Sequence, residues 1–93
     1  MSERSQNDIV YQCNLIRNIL IEKNRKYGDA ALNPEQVFSS ADPIELINIR
    51  IDDKLSRIKN AQDDDTEDAE LDLIGYLILK RIAIQRSKEY NPC

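Results

Sequence analysis

Residues 71–84, Leu-Asp-Leu-Ile-Gly-Tyr-Leu-Ile-Leu-Lys-Arg-Ile-Ala-Ile, place apolar side chains around most of the girth of any helix they form. A helix with one apolar stripe is satisfied by one neighbour, whereas a helix apolar on most sides must be covered on several. The chain has 93 residues, so its own core is small and much of its surface stays wet. The pattern therefore predicts an all-α fold in which three helices form an antiparallel bundle. Oligomerisation completes that bundle, with self-association through helix 67–88.

The other two helices follow from periodicity and caps. Ile9, Cys13, Ile16 and Leu20 recur at helical spacing, with Val10, Ile19 and Ile21 widening the stripe, which predicts a first helix over 5–27. Lys23, Arg25 and Lys26 suit the negative end of the helix dipole, and Gly28 supplies the stop. Residues 29–41 lose periodicity and carry Asn33-Pro34 and Ser39-Ser40, so they read as a loop whose Leu32, Val37 and Phe38 turn back into the core. Asp42-Pro43-Ile44-Glu45 opens the second helix, with a capping aspartate, proline at the first helical position and a glutamate placed for a capping box. Ile44, Ile47, Ile51, Leu55 and Ile58 carry it over 43–60. After an acidic turn, Asp65 or Thr66 is placed to cap the third helix, 67–88, with Glu67, Asp68 and Glu70 at its positive end. Gly75, in the middle of that helix, costs about 1 kcal/mol relative to alanine and predicts a close helix or ligand approach. Residues 1–93 thus read as a single domain with frayed ends at 1–4 and 89–93.

Composition removes several function classes. Asp and Glu outnumber Lys and Arg by 17 to 13, for a formal net charge of −4, so duplex nucleic acid is not an expected partner. No apolar run approaches the roughly 20 residues that span a bilayer, and the N-terminus leads into no signal-peptide core. No membrane association is expected, and the expected location is the cytoplasm. The chain has no histidine, and its two cysteines lack metal-ligand spacing, which excludes zinc and histidine acid–base catalysis. Cys13 reads as a core thiol and Cys93 as part of a frayed terminus. Haem and flavin are not expected; any metal would be a hard cation on oxygen ligands.

Charged residues cluster beyond what packing requires. Arg50, Lys54 and Arg57 share one face of the second helix, and Arg50 and Lys54 repel by about a few tenths of a kcal/mol. Asp53 is spaced to bridge Arg50 and Arg57 in a solvated ion-pair ladder. Alternatively, the two guanidinium groups and the ammonium meet an anion such as a phosphate. Asp52 points about 100 degrees around the helix from Asp53, toward the edge of the apolar stripe. Asp68 and Asp72 stand one turn apart on the third helix, and Asp72 lies among apolar neighbours, where a lone charge is costly. Its partner is either Arg50 or Arg57 in a structural salt bridge, or a divalent cation held jointly with Asp52. Lys26-Tyr27-Gly28-Asp29 adds a cation, a stacking surface and a hydrogen-bond acceptor suited to a base or sugar. Tyr76, one turn beyond Asp72, is either a packing residue or a phenolic donor to the same site.

Taken in order, Lys26-Tyr27-Gly28-Asp29-Ala30-Ala31-Leu32 with Phe38, then Arg50-Ile51-Asp52-Asp53-Lys54-Leu55-Ser56-Arg57, then Glu67-Asp68 and Asp72-Leu73-Ile74-Gly75-Tyr76, form a linked set. Over roughly residues 9–85 the chain resembles the phage and prophage proteins called nucleotide-modification-associated domain type 1. The resemblance implies an all-helical unit distantly similar to the MazG-like nucleoside triphosphate pyrophosphatases, in which acidic motifs on two helices hold magnesium against a triphosphate. Where those enzymes carry Glu-Glu-x-x-Glu, this chain has Asp52-Asp53-Lys54-Leu55-Ser56, and its second acidic block contains no Glu-x-x-Asp.

The expectation is a phage-encoded protein that binds a nucleotide or nucleotide-derived anion through Lys26, Tyr27, Asp29, Arg50, Lys54, Arg57 and Tyr76. It either sequesters the ligand or hydrolyses it with magnesium on Asp52, Asp68 and Asp72. The competing expectation is an interaction module that inhibits a host enzyme or defence protein through the acidic turn Asp63 to Glu67.

Overall fold

The computed structural model describes residues 2–33, 42–60 and 68–89. They form three α-helices, α1 (Glu3–Tyr27), α2 (Pro43–Lys59) and α3 (Ala69–Glu89), and no strand among the described residues. Local chemistry sets each boundary. The Ser2 hydroxyl accepts the Ser5 N–H at 3.2 Å and Glu3 occupies the first turn, so α1 begins ahead of its apolar periodicity and residues 2–4 are not frayed. It ends where Gly28 takes φ = +73°, a conformation that costs glycine no Cβ clash. The Asp29 carbonyl then accepts from the Leu32 and Asn33 N–H groups at 3.1 and 2.7 Å, closing a tight turn.

Asp42 caps α2 as its sequence position predicts, its carboxylate accepting the Ile44 N–H at 2.9 Å with Pro43 at the first position. For α3 the capping residue is Asp68 rather than Asp65 or Thr66. Its carboxylate accepts the Leu71 N–H at 2.9 Å and its carbonyl the Asp72 N–H at 3.0 Å, so the helix starts at Ala69. The acidic turn, Val37 and Phe38, and residues 90–93 lie outside the described residues.

α2 and α3 form an antiparallel hairpin: Ile47 shares a cluster with Ala83 at one end, while Lys54 reaches Asp72 toward the other. Ile47 and Ile51 are buried against Ala83, with Leu32, Ile44, Leu73, Tyr76 and Leu79 packed around them. Leu32 thus reaches the core as the sequence predicts. The buried positions of α3 are all small, Ala69, Gly75 and Ala83, and so let neighbouring backbones come close. Its larger residues Ile74, Leu77 and Ile78 remain exposed, so one chain covers only part of this helix.

Against the hairpin, α1 meets α3 over a short stretch and does not meet α2. The crossing is at Gly75, where an added Cβ would lie 2.9 Å from a terminal methyl of Leu20. Gly75→Ala is expected to fall within about 1 kcal/mol of the parent, because the Leu20 methyl can rotate away while alanine gains about 1 kcal/mol of helix propensity. Gly75→Leu has no such escape. It should push α1 off α3 and lower the melting temperature clearly below that of the alanine variant, which thermal denaturation of the two proteins checks. Because α1 touches so little, none of its residues is buried, and Cys13 is exposed instead of forming a core thiol. No described helix is long and apolar enough to cross a membrane.

Candidate functional site

The sparse contact between α1 and the hairpin leaves a cleft of about 720 Å³. Ile16, Ile19 and Leu20 wall it from α1, Ala30 to Leu32 from the turn, Leu46, Ile47 and Ile49 from α2, and Leu71, Gly75 and Leu79 from α3. Polar groups enter at few points: Lys23, Asn24 and Tyr27 from α1, Arg50 from α2, and Asp72 and Tyr76 from α3. An apolar-walled hollow of this size with a few convergent polar groups is the usual form of a small-molecule site.

Its electrostatic centre is Asp72. The carboxylate accepts from Lys23 Nζ at 3.1 Å on one oxygen and lies 3.4 Å from Lys54 Nζ on the other. Each of the three helices therefore contributes one charge. Lys54 is only 9% exposed, and Asp72 is largely covered, as an ammonium in that position requires. Asp72 does take a salt bridge, as one of the two sequence expectations held, but with Lys23 and Lys54 in place of Arg50 or Arg57. Among the described residues the charges lining the cleft are Lys23, Arg50 and Asp72, a net of +1 on a chain whose net charge is −4.

The cationic face expected on α2 divides into three different environments. Arg50 is exposed at the cleft and forms no ion pair among the described residues, Asp53 included. Lys54 turns inward to Asp72, because its long aliphatic stem buries readily beside Ile51 while its head finds the carboxylate. Arg57 takes the ladder arrangement, donating to Asp53 at 3.2 Å one turn away. Of the seven residues expected to bind nucleotide, Tyr27, Arg50 and Tyr76 line the cleft; Lys26, Asp29, Lys54 and Arg57 do not. Lys26 sits with its ammonium 5.3 Å from the centre of the Tyr27 ring. Asp29 accepts from the Asn24 amide at 3.1 Å and lies 3.7 Å from Arg86. That carboxylate serves the turn and the end of α3.

The three carboxylates expected to hold magnesium are not brought to one point. Asp68 caps α3, Asp72 is held between two ammonium groups, and Asp52 is exposed on α2. Among the described residues no group of three or more His, Cys, Asp or Glu side chains is placed to hold a metal ion. The donor set fits a cation poorly, since two lysines already occupy the position a cation would take on Asp72.

Two site residues escaped the sequence reading. Lys23 was visible only as a helix-end charge, yet it continues the series 9, 13, 16, 20 by the next step of three, which puts it on the inward stripe. Asn24 follows it toward the turn and carries no comparable signal. No family model matches the chain, and no curated protein or solved structure matches it.

Proposed function

We propose that this chain is a nucleotide-binding protein that holds a phosphate-bearing, ring-containing small molecule in the cleft between α1 and the hairpin, without cleaving it. The observation that carries the reading is Arg50: a guanidinium with no ion-pair partner among the described residues, at the polar edge of an otherwise apolar hollow. Its planar donors match a phosphate, and Lys23, paired with Asp72, is a second cation lining the same cleft. The apolar walls with Tyr27 and Tyr76 suit a base, which stacks and buries its faces while its edge takes a phenolic hydrogen bond. Sequestration fits the residues better than hydrolysis, because the carboxylates that would gather magnesium are engaged elsewhere or stand apart. A phage origin, with a host nucleotide as the ligand, is part of this proposal and rests on the family resemblance alone. The competing host-protein inhibitor rests on the acidic turn, which lies outside the described residues.

The test is a thermal-shift panel of nucleoside mono-, di- and triphosphates, cyclic nucleotides, inorganic phosphate and pyrophosphate, each with and without magnesium. A ligand at a hundred times its dissociation constant adds about 2.7 kcal/mol, which raises the melting temperature of a domain this size by about 10–20 °C. The expected result is such a rise with one nucleotide class, independent of magnesium, with the ligand recovered intact. A flat panel, or magnesium-dependent cleavage, overturns the reading.

A further inference from the structure

Lys23 is tied to a carboxylate that does not depend on it. Its ammonium donates to one oxygen of Asp72 at 3.1 Å, while the other oxygen already faces the Lys54 ammonium at 3.4 Å. The two lysines differ in what decides which of them can leave. The Lys54 side chain is 11% exposed, meets more than Asp72 and does not line the cleft. The Lys23 side chain is 54% exposed and does line it. Taking Lys54 away would strand buried charge, which is costly, whereas taking Lys23 away leaves Asp72 with its buried partner. Position adds a second reason. Arg50 stands one helical turn before Lys54 on α2, a spacing that puts Cβ atoms about 5–6 Å apart. Arg50 and Lys23 thus both adjoin the Asp72–Lys54 pair, one through its own helix and the other by direct contact, and both line the same cleft. An anion held there by Arg50 comes within reach of an ammonium on a flexible stem.

We propose that Asp72 and the phosphate of the ligand compete for Lys23. In the free protein this lysine ties α1 to α3; in the complex its ammonium passes to the phosphate held by Arg50, and Lys54 keeps Asp72. The exchange runs forward because an exposed ion pair holds its ammonium weakly, whereas a charge-assisted hydrogen bond to a phosphate is among the strong ones. Resting on the nucleotide reading, the exchange adds to it that Asp72 lowers affinity and that ligand entry removes a polar tie between α1 and the hairpin. The apolar crossing of Leu20 on Gly75 is untouched, so α1 keeps its seat while its charge changes partner.

The test is a double-mutant cycle on Lys23 and Asp72, titrated calorimetrically with the nucleoside mono-, di- and triphosphates and cyclic nucleotides of the thermal-shift panel. For the nucleotide that the wild type binds most tightly, Lys23→Gln is expected to weaken binding about ten-fold. Asp72→Asn, measured well below its own melting temperature, is expected to tighten binding by about three-fold or more, because the competitor is gone. In the Lys23→Gln background the same Asp72→Asn change should alter affinity less than about two-fold, since no lysine remains to be released. An equal gain in both backgrounds means that Asp72 acts only as a nearby negative charge, and overturns the proposal; so does weaker binding by Asp72→Asn. The wild-type protein provides a readout that does not depend on the folding of the Asp72 variant. In proton–nitrogen NMR spectra of its lysine ammonium groups, the Lys23 Nζ signal, identified by its loss in Lys23→Gln, should shift on saturation with that nucleotide. A Lys23 signal that stays in place overturns the exchange. Binding that is lost in Arg50→Gln but indifferent to Lys23→Gln defeats the exchange alone, whereas a flat wild-type panel defeats the nucleotide reading itself.

Discussion

Replacing Asp72 with alanine is expected to destabilise the protein by about 2–3 kcal/mol. Removing one member of a buried ion pair commonly costs about 3–5 kcal/mol, because the other charge remains in a poor solvent. The lower figure applies because the Asp72 side chain keeps 19% of its exposure, so water already screens part of the pair, and because Asp72 is not the whole of what Lys54 meets. What the substitution takes away is the carboxylate 3.4 Å from the ammonium of Lys54, the only buried charged residue among those described. The same oxygen pair anchors α1 through Lys23, so the loss also loosens the cleft wall. Lys23→Ala provides the contrast. Its side chain is more than half exposed, and an exposed ion pair contributes about 0–1 kcal/mol. In thermal denaturation at matched protein concentration, the Asp72 variant should fall by about 10–20 °C and the Lys23 variant by only a few degrees. Equal small shifts would show that the three-helix charge cluster contributes little to the fold.

Arg50→Gln is expected to weaken nucleotide binding by about 10–100-fold while leaving stability within about 0.5 kcal/mol. A hydrogen bond to a charged group contributes about 1.5–3 kcal/mol, and each 1.4 kcal/mol is a factor of ten in affinity. Stability should hold because Arg50 is exposed and has no ion pair to lose among the described residues. Arg57→Gln is the discriminating control. Arg57 pairs with Asp53 and does not line the cleft, so its loss should change affinity less than two-fold. Calorimetric titration of the three proteins with the nucleotide that gives the largest thermal shift decides between them. Equal losses for both arginines would restore the single cationic face that spacing alone suggests and would move the site off the cleft.

The sequence reading succeeded where a single local signal stood without a rival. The Asp42-Pro43 start of α2 and the Gly28 stop of α1 depend on groups within four residues, and both appear where they are predicted. The start of α3 moved to Asp68 because several consecutive acidic residues can cap a helix, and local chemistry does not rank them. Side-chain partners across helices were less legible. Spacing placed Arg50, Lys54 and Arg57 within about 60 degrees on one face, but even that arc spans both a cleft edge and a buried contact. Which residue turned inward depended on where Asp72 lay on the opposing helix.

Periodicity and caps in the chain alone determined three helices, their order and their stopping points, because hydrogen bonds and side-chain conformations within a few residues settle those questions. Only the tertiary structure decided that α1 would rest on α3 at Gly75, leaving a hollow beside it, and that two lysines instead of two arginines would meet Asp72. Those outcomes follow from how three rigid rods with unequal apolar faces come together. The geometry of their crossing sets which charges meet, and no interval along the sequence encodes it.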